Sequence, residues 1–341
     1  MDEHLMVDRA FVARSDFSNR QPELHHYTTF DGLQGIYESR SLRATRFTDL
    51  NDSSEYIHLK RPLLNAVAPR FEQILRKLRK IKPSTAKKIN AAGGIREVAS
   101  VEAARLIEDL YSHAYDKRDD VMLTTPYTLS FCSHGVSERY ERDNGLLSQW
   151  RGYGKGGGFC LVFDTARLVS MLEEEDDTNA WAVLKIDDVR YGSDLPQEEE
   201  FLRAVEVCEV AFRQILRRTP LVAPYGGFFP FHRSAPFFKH PAFREEREVR
   251  VVAIPYHHKM LNVVRMRAPW LPPPLIKKIH AIGEGELRRH FLYLFSDLAT
   301  PLPIKRVIVG PSRHQVENRD RARAILDPSI PLIMSETPFL G

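Results

Sequence analysis

The sequence has little of what usually settles a class at once. Among its 341 residues are only three cysteines, Cys132, Cys160 and Cys208, far apart and without a C-x-x-C pair. That argues against a disulfide framework and against a cysteine-built zinc site, and it suits a reducing cytosol. No apolar run reaches the length that crosses a bilayer. The opening Met-Asp-Glu-His has neither the basic start nor the apolar core of a signal peptide. The expectation is a cytoplasmic protein without membrane association. The formal net charge is only +4, so composition alone does not make a polyanion binder, although local basic runs remain. There is no internal repeat and no low-complexity tract. The cluster Gly154-Lys155-Gly156-Gly157-Gly158 fits neither G-x-x-x-x-G-K-[ST] nor G-x-G-x-x-G, and reads as a flexible turn before a strand.

What is present is enough for a core: 43% of residues are hydrophobic, and the length suits one elaborated domain or a core with an insertion. Residues 1–22 are polar and mixed and read as a loose arm. Residues 23–341 then form a single α+β domain. β-Branched and aromatic runs predict strands at 24–29, 42–47, 128–132, 159–163, 180–190, 263–267, 304–311 and 331–334. Apolar residues at helical spacing predict helices from Phe30 with Asp31 as N-cap, and over 63–82, 96–115, 165–173, 198–217 and 315–325. Residues 133–144 and 220–236 read as loops. The two longest helical patterns make residues 57–120 a helical insertion. The many short strands with few regular strand–helix–strand units predict a split, mainly antiparallel sheet around a cleft.

The stretch from Phe243 to Val252, Phe-Arg-Glu-Glu-Arg-Glu-Val-Arg-Val-Val, is where charge is densest. Read as a strand, it places Glu246, Glu248 and Arg250 on one face and Val249 and Val251 on the other. Two carboxylates and a guanidinium on one face suit a site; a solvated edge strand produces the same pattern. Trp150, Arg151 and Tyr153 form a second cluster. A guanidinium matches phosphate and aromatic rings stack on other rings, while Trp150 equally suits a core. The run Arg76, Lys77, Arg79 and Lys80, with Lys87 and Lys88 beyond, has two readings. One is a grip on nucleic-acid phosphates, the other a solvated helix end with favourably placed cations.

Several spaced pieces together resemble one family. They are His26-Tyr27-Thr28 with Gly35-Ile36 and Leu42; Leu50-Asn51-Asp52 with Glu55; Ser148-x-Trp150-x-x-Tyr153; Glu246-x-Glu248-x-Arg250; and Ile308-Val309-Gly310-Pro311. The pattern looks like the bacterial domain-of-unknown-function family 2971, a name that carries no chemistry. The His-x-Thr strand, followed by helix, turn and strand, is also similar to the start of the ADP-ribosyltransferase fold, and Glu246-x-Glu248 resembles the Glu-x-Glu of some of its members. The segment Leu129-Ser130-Phe131 matches that superfamily's Ser-Thr-Ser strand only in part.

The second resemblance implies an enzyme that consumes NAD, transferring ADP-ribose to a nucleic acid or protein or simply hydrolysing NAD. It implies a toxin or anti-phage defence setting, with an antitoxin or defence-system protein as a further partner. His26 is then expected to hold the nicotinamide ribose, and Glu248 to bond its 2′-hydroxyl and stabilise the oxocarbenium-like transition state. Glu246 orients or deprotonates the acceptor. Tyr27 and Tyr153 sandwich the nicotinamide beside Thr28 and Trp150, and Arg151 or Arg250 pairs with the diphosphate. No metal is expected. His26 as a structural histidine and Arg250 as an ion-pair partner of Glu248 remain open beside these roles. Two other classes stay in view. One is a metal-dependent nuclease built on Glu246, Glu248, Asp52 and Lys239, in which Glu248 stands where a lysine is usual. The other is a non-catalytic nucleotide- or nucleic-acid-binding sensor module.

Overall fold

The computed structural model describes residues 11–50, 55–81, 83–114, 125–135, 137–154, 157–192, 199–218, 233–256 and 275–338. The strand expected at 263–267, most of the loop expected at 220–236, and Asn51 and Asp52 lie outside the described residues. The chain divides into two compact units. One comprises Met1–Asp49, Tyr127–Val189 and Phe243–Gly341; the other comprises Leu50–Pro126 and Arg190–Ala242.

The first unit is a mixed α+β structure around an open, mostly antiparallel sheet of eleven strands. In chain order these are β1 (Phe11–Val12), β2 (Glu23–Thr28), β3 (Leu42–Arg46), β4 (Tyr127–Cys132), β5 (Phe159–Asp164), β6 (Trp181–Asp188), β9 (Glu248–Pro255), β10 (His280–Ile282), β11 (Arg289–Leu294), β12 (Ile304–Val309) and β13 (Leu332–Met334). The main path runs β1-β6-β9-β4-β2-β5-β12-β13. Only its two ends, β1 with β6 and β12 with β13, pair in parallel.

Side chains alternate across a strand, and one face of this sheet is apolar throughout. Leu24, Phe131, Leu161, Leu184, Val251, Leu292 and Val307 share one core. It also takes in Leu33 of α2 (Phe30–Ser39), Leu168 and Leu172 of α8 (Thr165–Thr178), and Ala322 of α10 (Gln315–Ile325). Helix α2 is capped not by Asp31 but by Thr29, whose side chain accepts a hydrogen bond from the Gly32 amide. Asp31 lies in the first turn, where its charge still suits the helix dipole.

The sheet forks at β4. One edge of β4 pairs along its length with β9, from Tyr127↔Ala253 to Cys132↔Glu248. Its other edge is shared: β3 takes the Tyr127–Thr128 end and β2 meets only Cys132, through His25. Beyond the fork, β3, β11 and β10 form a wing.

Three local expectations change. Residues 133–144 are not all loop, because Arg139–Asn144 form helix α6. Within the expected arm, β1 pairs with β6, and α1 (Phe17–Arg20) buries Phe17 in the core. The charged stretch enters its strand late: Pro241–Glu246 is a 3-10 helix, Arg247 has φ 43°, and the strand starts only at Glu248.

The second unit is helical. Helices α3 (Glu55–Ile81), α4 (Pro83–Ala91), α5 (Ile95–Ala114) and α9 (Glu199–Arg217) accompany a two-stranded parallel ribbon, β7 (Arg190–Tyr191) with β8 (Phe238–Lys239). Leu63, Val67, Phe71 and Ile74 of α3 are buried at helical spacing. Phe71 stacks on Phe212 of α9, with ring centroids 3.9 Å apart.

Candidate functional site

The face of β9 opposite the core carries Glu248 and Arg250. The pair is bidentate: Arg250 Nε donates to Glu248 Oε1 at 2.6 Å and Nη2 donates to Oε2 at 3.0 Å. Their side chains are only 2% and 5% exposed. The guanidinium also lies 5.6 Å from the Phe47 ring centroid. Arg250 is the strand neighbour of Asp187 on β6 and of Ser130 on β4. Asp187 in turn is 3.6 Å from Lys185, both almost fully buried. Four buried charges of balanced sign thus line adjacent strands. An ion removed from water is tolerated only when paired and hydrogen-bonded, so the pairing of opposite charges along the row is what burial requires. Lys185 and Asp187 were not expected in a site. Their signal in the sequence is a lysine interrupting the apolar run Trp181-Ala-Val-Leu-Lys-Ile.

His26 stands at the fork. Its Nδ1 is 3.0 Å from the Ser130 carbonyl oxygen, and its ring meets Phe131 edge-on at 5.8 Å. A carbonyl only accepts, so Nδ1 carries the proton and Nε2 keeps its lone pair. Burial pushes the His26 pKa below the usual histidine value, against the smaller opposing effect of the Ser130 bond. The imidazole is neutral at pH 7. His26 and the Glu248–Arg250 pair lie on opposite faces: His26 shares the core side of the sheet with Leu24, Phe131 and Leu161, and only the Ser130 backbone, whose carbonyl takes His26 and whose strand neighbour is Arg250, stands between them.

Tyr27 stands on the Glu248 side of the sheet, opposite His26. Adjacent strand residues point to opposite faces, and Tyr27 is buried in a second, smaller core with Cys132, Trp150, Cys160, Val162 and Ile308. Its hydroxyl accepts from the Leu146 amide at 2.7 Å and is hydrogen-bonded with His134 Nε2 at 2.9 Å. Trp150 packs edge-on against it, with centroids 4.8 Å apart. Trp150 is 1% exposed and donates Nε1–H to the Asn144 carbonyl. A Cβ on Gly145 would come within 2.6 Å of its ring, and one on Gly310 within 2.9 Å. These glycines are the space the indole occupies. Trp150 and Tyr27 are core anchors here, and their rings are closed to a stacked ligand.

The remaining expected residues are dispersed. Arg151 and Tyr153, on α7 (Leu147–Tyr153), are exposed. Thr28 is half-buried, with its Oγ1 in the space that a Cβ on Gly32 would fill. Glu246, in the 3-10 helix, does not share the strand face of Glu248. The left-handed backbone at Arg247 breaks the alternation that the sequence pattern assumed. In the helical unit, Arg76, Lys77, Arg79 and Lys80 are exposed on α3, and Arg76 pairs with Glu72 one turn earlier. Among the described residues no three His, Cys, Asp or Glu side chains are grouped to share a metal ion. Asp52 lies outside the described residues.

No helix among the described residues is long and apolar enough to cross a membrane. No curated protein and no solved structure matches the chain. The segment from α7 to the Glu248–Arg250 pair is different: residues 149–251 match the family model described as protein of unknown function (DUF2971), which bears out over that segment the resemblance read from the spaced motifs.

Proposed function

We propose that this protein is an NAD-consuming enzyme of a bacterial toxin or anti-phage defence type, an ADP-ribosyltransferase or NAD glycohydrolase. The observation that supports the reading most is the fork at β4. There Arg250 engages both oxygens of the buried Glu248 carboxylate and fixes its direction. A carboxylate held in one direction suits a positive charge that develops only in the transition state.

The step breaks the bond between ribose C1′ and the nicotinamide nitrogen, and the electron pair leaves with nicotinamide. Glu248 stabilises the positive charge that develops at C1′. Water or an acceptor nucleophile then attacks C1′, and its proton passes to Glu246 or to solvent. Arg151 and Tyr153 are the exposed residues proposed to meet the diphosphate and the nicotinamide ring. The Arg76–Lys80 run is proposed to hold a nucleic-acid acceptor, where the acceptor is one. The test is incubation with NAD, with and without oligonucleotide or protein acceptors, reading free nicotinamide by chromatography. Release that disappears in Glu248→Gln supports the reading; no release under any of these conditions overturns it.

A second reading rests on the same pair. Arg250 engages both Glu248 oxygens, as a structural pair in a non-catalytic nucleotide-binding module would. That reading expects NAD to bind and never to be consumed.

A further inference from the structure

The wing formed by β3, β11 and β10 has the usual alternation, with an unusual outer face. Leu42, Ala44, Leu292 and Leu294 point into the core. The cross-strand pairs on the other face are His280↔Phe291, Ile282↔Arg289, Phe291↔Thr45 and Tyr293↔Arg43. Four of these side chains form one connected cluster. Arg43 Cζ lies 4.2 Å from the Phe291 ring centroid and 5.8 Å from that of Tyr293. His280 is parallel to Phe291 within 14°, with centroids 5.5 Å apart, and meets Tyr293 edge-on at 5.1 Å. Phe291 is buried beneath its neighbours, Tyr293 and His280 are half-buried, and Arg43 is exposed.

Polar outer faces of antiparallel sheets are ordinary; aromatic ones with a guanidinium over a ring are not. Among the described residues Arg43 has no carboxylate partner, so its charge is balanced by a ring's π-face alone. Its Cζ sits over the Phe291 ring, and the residue as a whole is exposed. Lys278, Arg288 and Arg289 are exposed around the same hairpin, and the turn that joins its strands carries Glu284 and Glu286. Aromatic and guanidinium planes on a strand face, bordered by cations, are complementary to unstacked bases joined by phosphates. A duplex hides its base faces and offers such a surface only phosphate.

We infer that the outer face of the β3–β11–β10 wing binds single-stranded nucleic acid, with bases stacked on Arg43, Tyr293 and His280 and phosphates held by Arg288, Arg289 and Lys278. Binding here needs no NAD and is separate from the chemistry proposed for the fork. Its failure and that of the NAD reading are therefore independent.

The experiment is fluorescence anisotropy with fluorescein-labelled dT15 and U15, and a labelled duplex for comparison, at about 50 and 200 mM salt without NAD. The wild-type chain is expected to bind a single strand more tightly than duplex, and to bind it more weakly at the higher salt. Tyr293→Ala and Arg43→Ala are each expected to weaken single-strand binding about tenfold, the cost of one lost stacking plane. Tyr293→Phe keeps the plane and is expected to bind as wild type. Arg43→Lys keeps the charge, loses the plane, and is expected to weaken binding. Preference for dT15 or U15 tells which nucleic acid is taken. No binding of either strand by the wild-type chain overturns the inference. So does binding that survives both alanine variants but is lost on reversing Arg76 and Lys80 to glutamate, since it then resides on α3. The wild-type, Tyr293→Phe and Arg43→Lys measurements decide the matter even if an alanine variant fails to fold.

Discussion

Arg250 closes on Glu248 with two parallel bonds, and neither residue has more than a trace of exposed side chain. A bidentate guanidinium–carboxylate pair fixes the carboxylate in direction as well as in charge. Buried this deeply, it also makes each residue a condition for the other, because breaking such a pair leaves one ion without compensation.

Glu248→Gln is therefore expected to do two things at once. Nicotinamide release falls by about two to three decades, the cost of losing an electrostatic contribution of roughly 3–4 kcal/mol. The melting temperature falls as well, because Arg250 loses its countercharge. The double variant Glu248→Gln/Arg250→Met separates the effects: it regains stability and stays inactive. A double variant that regains both shows Glu248 to be structural only.

His26→Phe is expected to cost about 1 kcal/mol, because the Ser130 carbonyl loses its partner at a part-buried position. Chemical denaturation reads this directly. An unchanged midpoint would mean that water replaces the imidazole and that the fork is open to solvent.

Acid should unfold the first unit in two stages. Burial, with Arg247 and Arg306 nearby, lowers the His134 pKa from 6.5 to about 4. The unfolded chain takes up this proton first, so stability present above about pH 6.5 is lost as pH falls toward 4, on the order of 3 kcal/mol. Burial raises the Glu23 pKa, but hydrogen bonds from Arg306 and Lys305 outweigh it and bring it to about 2. Its contribution is full above about pH 4.5 and is lost below that. Denaturation midpoints between pH 7 and 3 should show both slopes, and His134→Asn should flatten only the upper one.

Lys277→Met is expected to cost about 3–5 kcal/mol. Lys277 Nζ is 2.7 Å from Glu175 Oε1 with both side chains buried, and it also pairs with Asp297. Burial already raises the Glu175 pKa against the pull of Lys277. Without the lysine, the Glu175 pKa should rise further, so the variant's loss of stability should grow with rising pH. A loss that stays constant from pH 5 to 8 contradicts this.

Gly145→Ala is expected to destabilise by about 1–3 kcal/mol, because its Cβ would meet the Trp150 ring at 2.6 Å and its φ is 78°. Trp150 fluorescence reports whether the ring moves.

The strands and helices with clean periodicity were legible: β4, β5, β12, α9 and α10 lie within a few residues of where their apolar spacing puts them, whereas α3 begins at Glu55, well before the expected 63. The start of β9 was not. An alternation of charge extends as easily through a 3-10 turn as through a strand, and nothing in Glu246-Arg247-Glu248 announces a left-handed residue between the two acids. Tyr27 and His26 were read as one motif, although neighbouring residues of a strand must part to opposite faces. Trp150 illustrates the reverse. The glycines at 145, 154 and 310 are spread over the chain, and only folding shows that they surround a single ring.

The chain leaves the sheet unit after Asp49 and returns at Tyr127, leaves after Val189 and returns at Phe243. Neighbours such as Arg46 and Tyr127 are thus brought together only by closing a long loop, and the entropy of closure grows slowly with length but must be met before any contact rewards it. Strand β9 lies between β6 and β4, yet it is synthesised after both. During translation the two flanking strands wait with open edges until Glu248–Pro255 emerges, and the buried charges on β6 wait with them. The sheet is completed from its middle, late. A chain ending before β9 should remain unable to form it, exposing the edges that the finished protein hides.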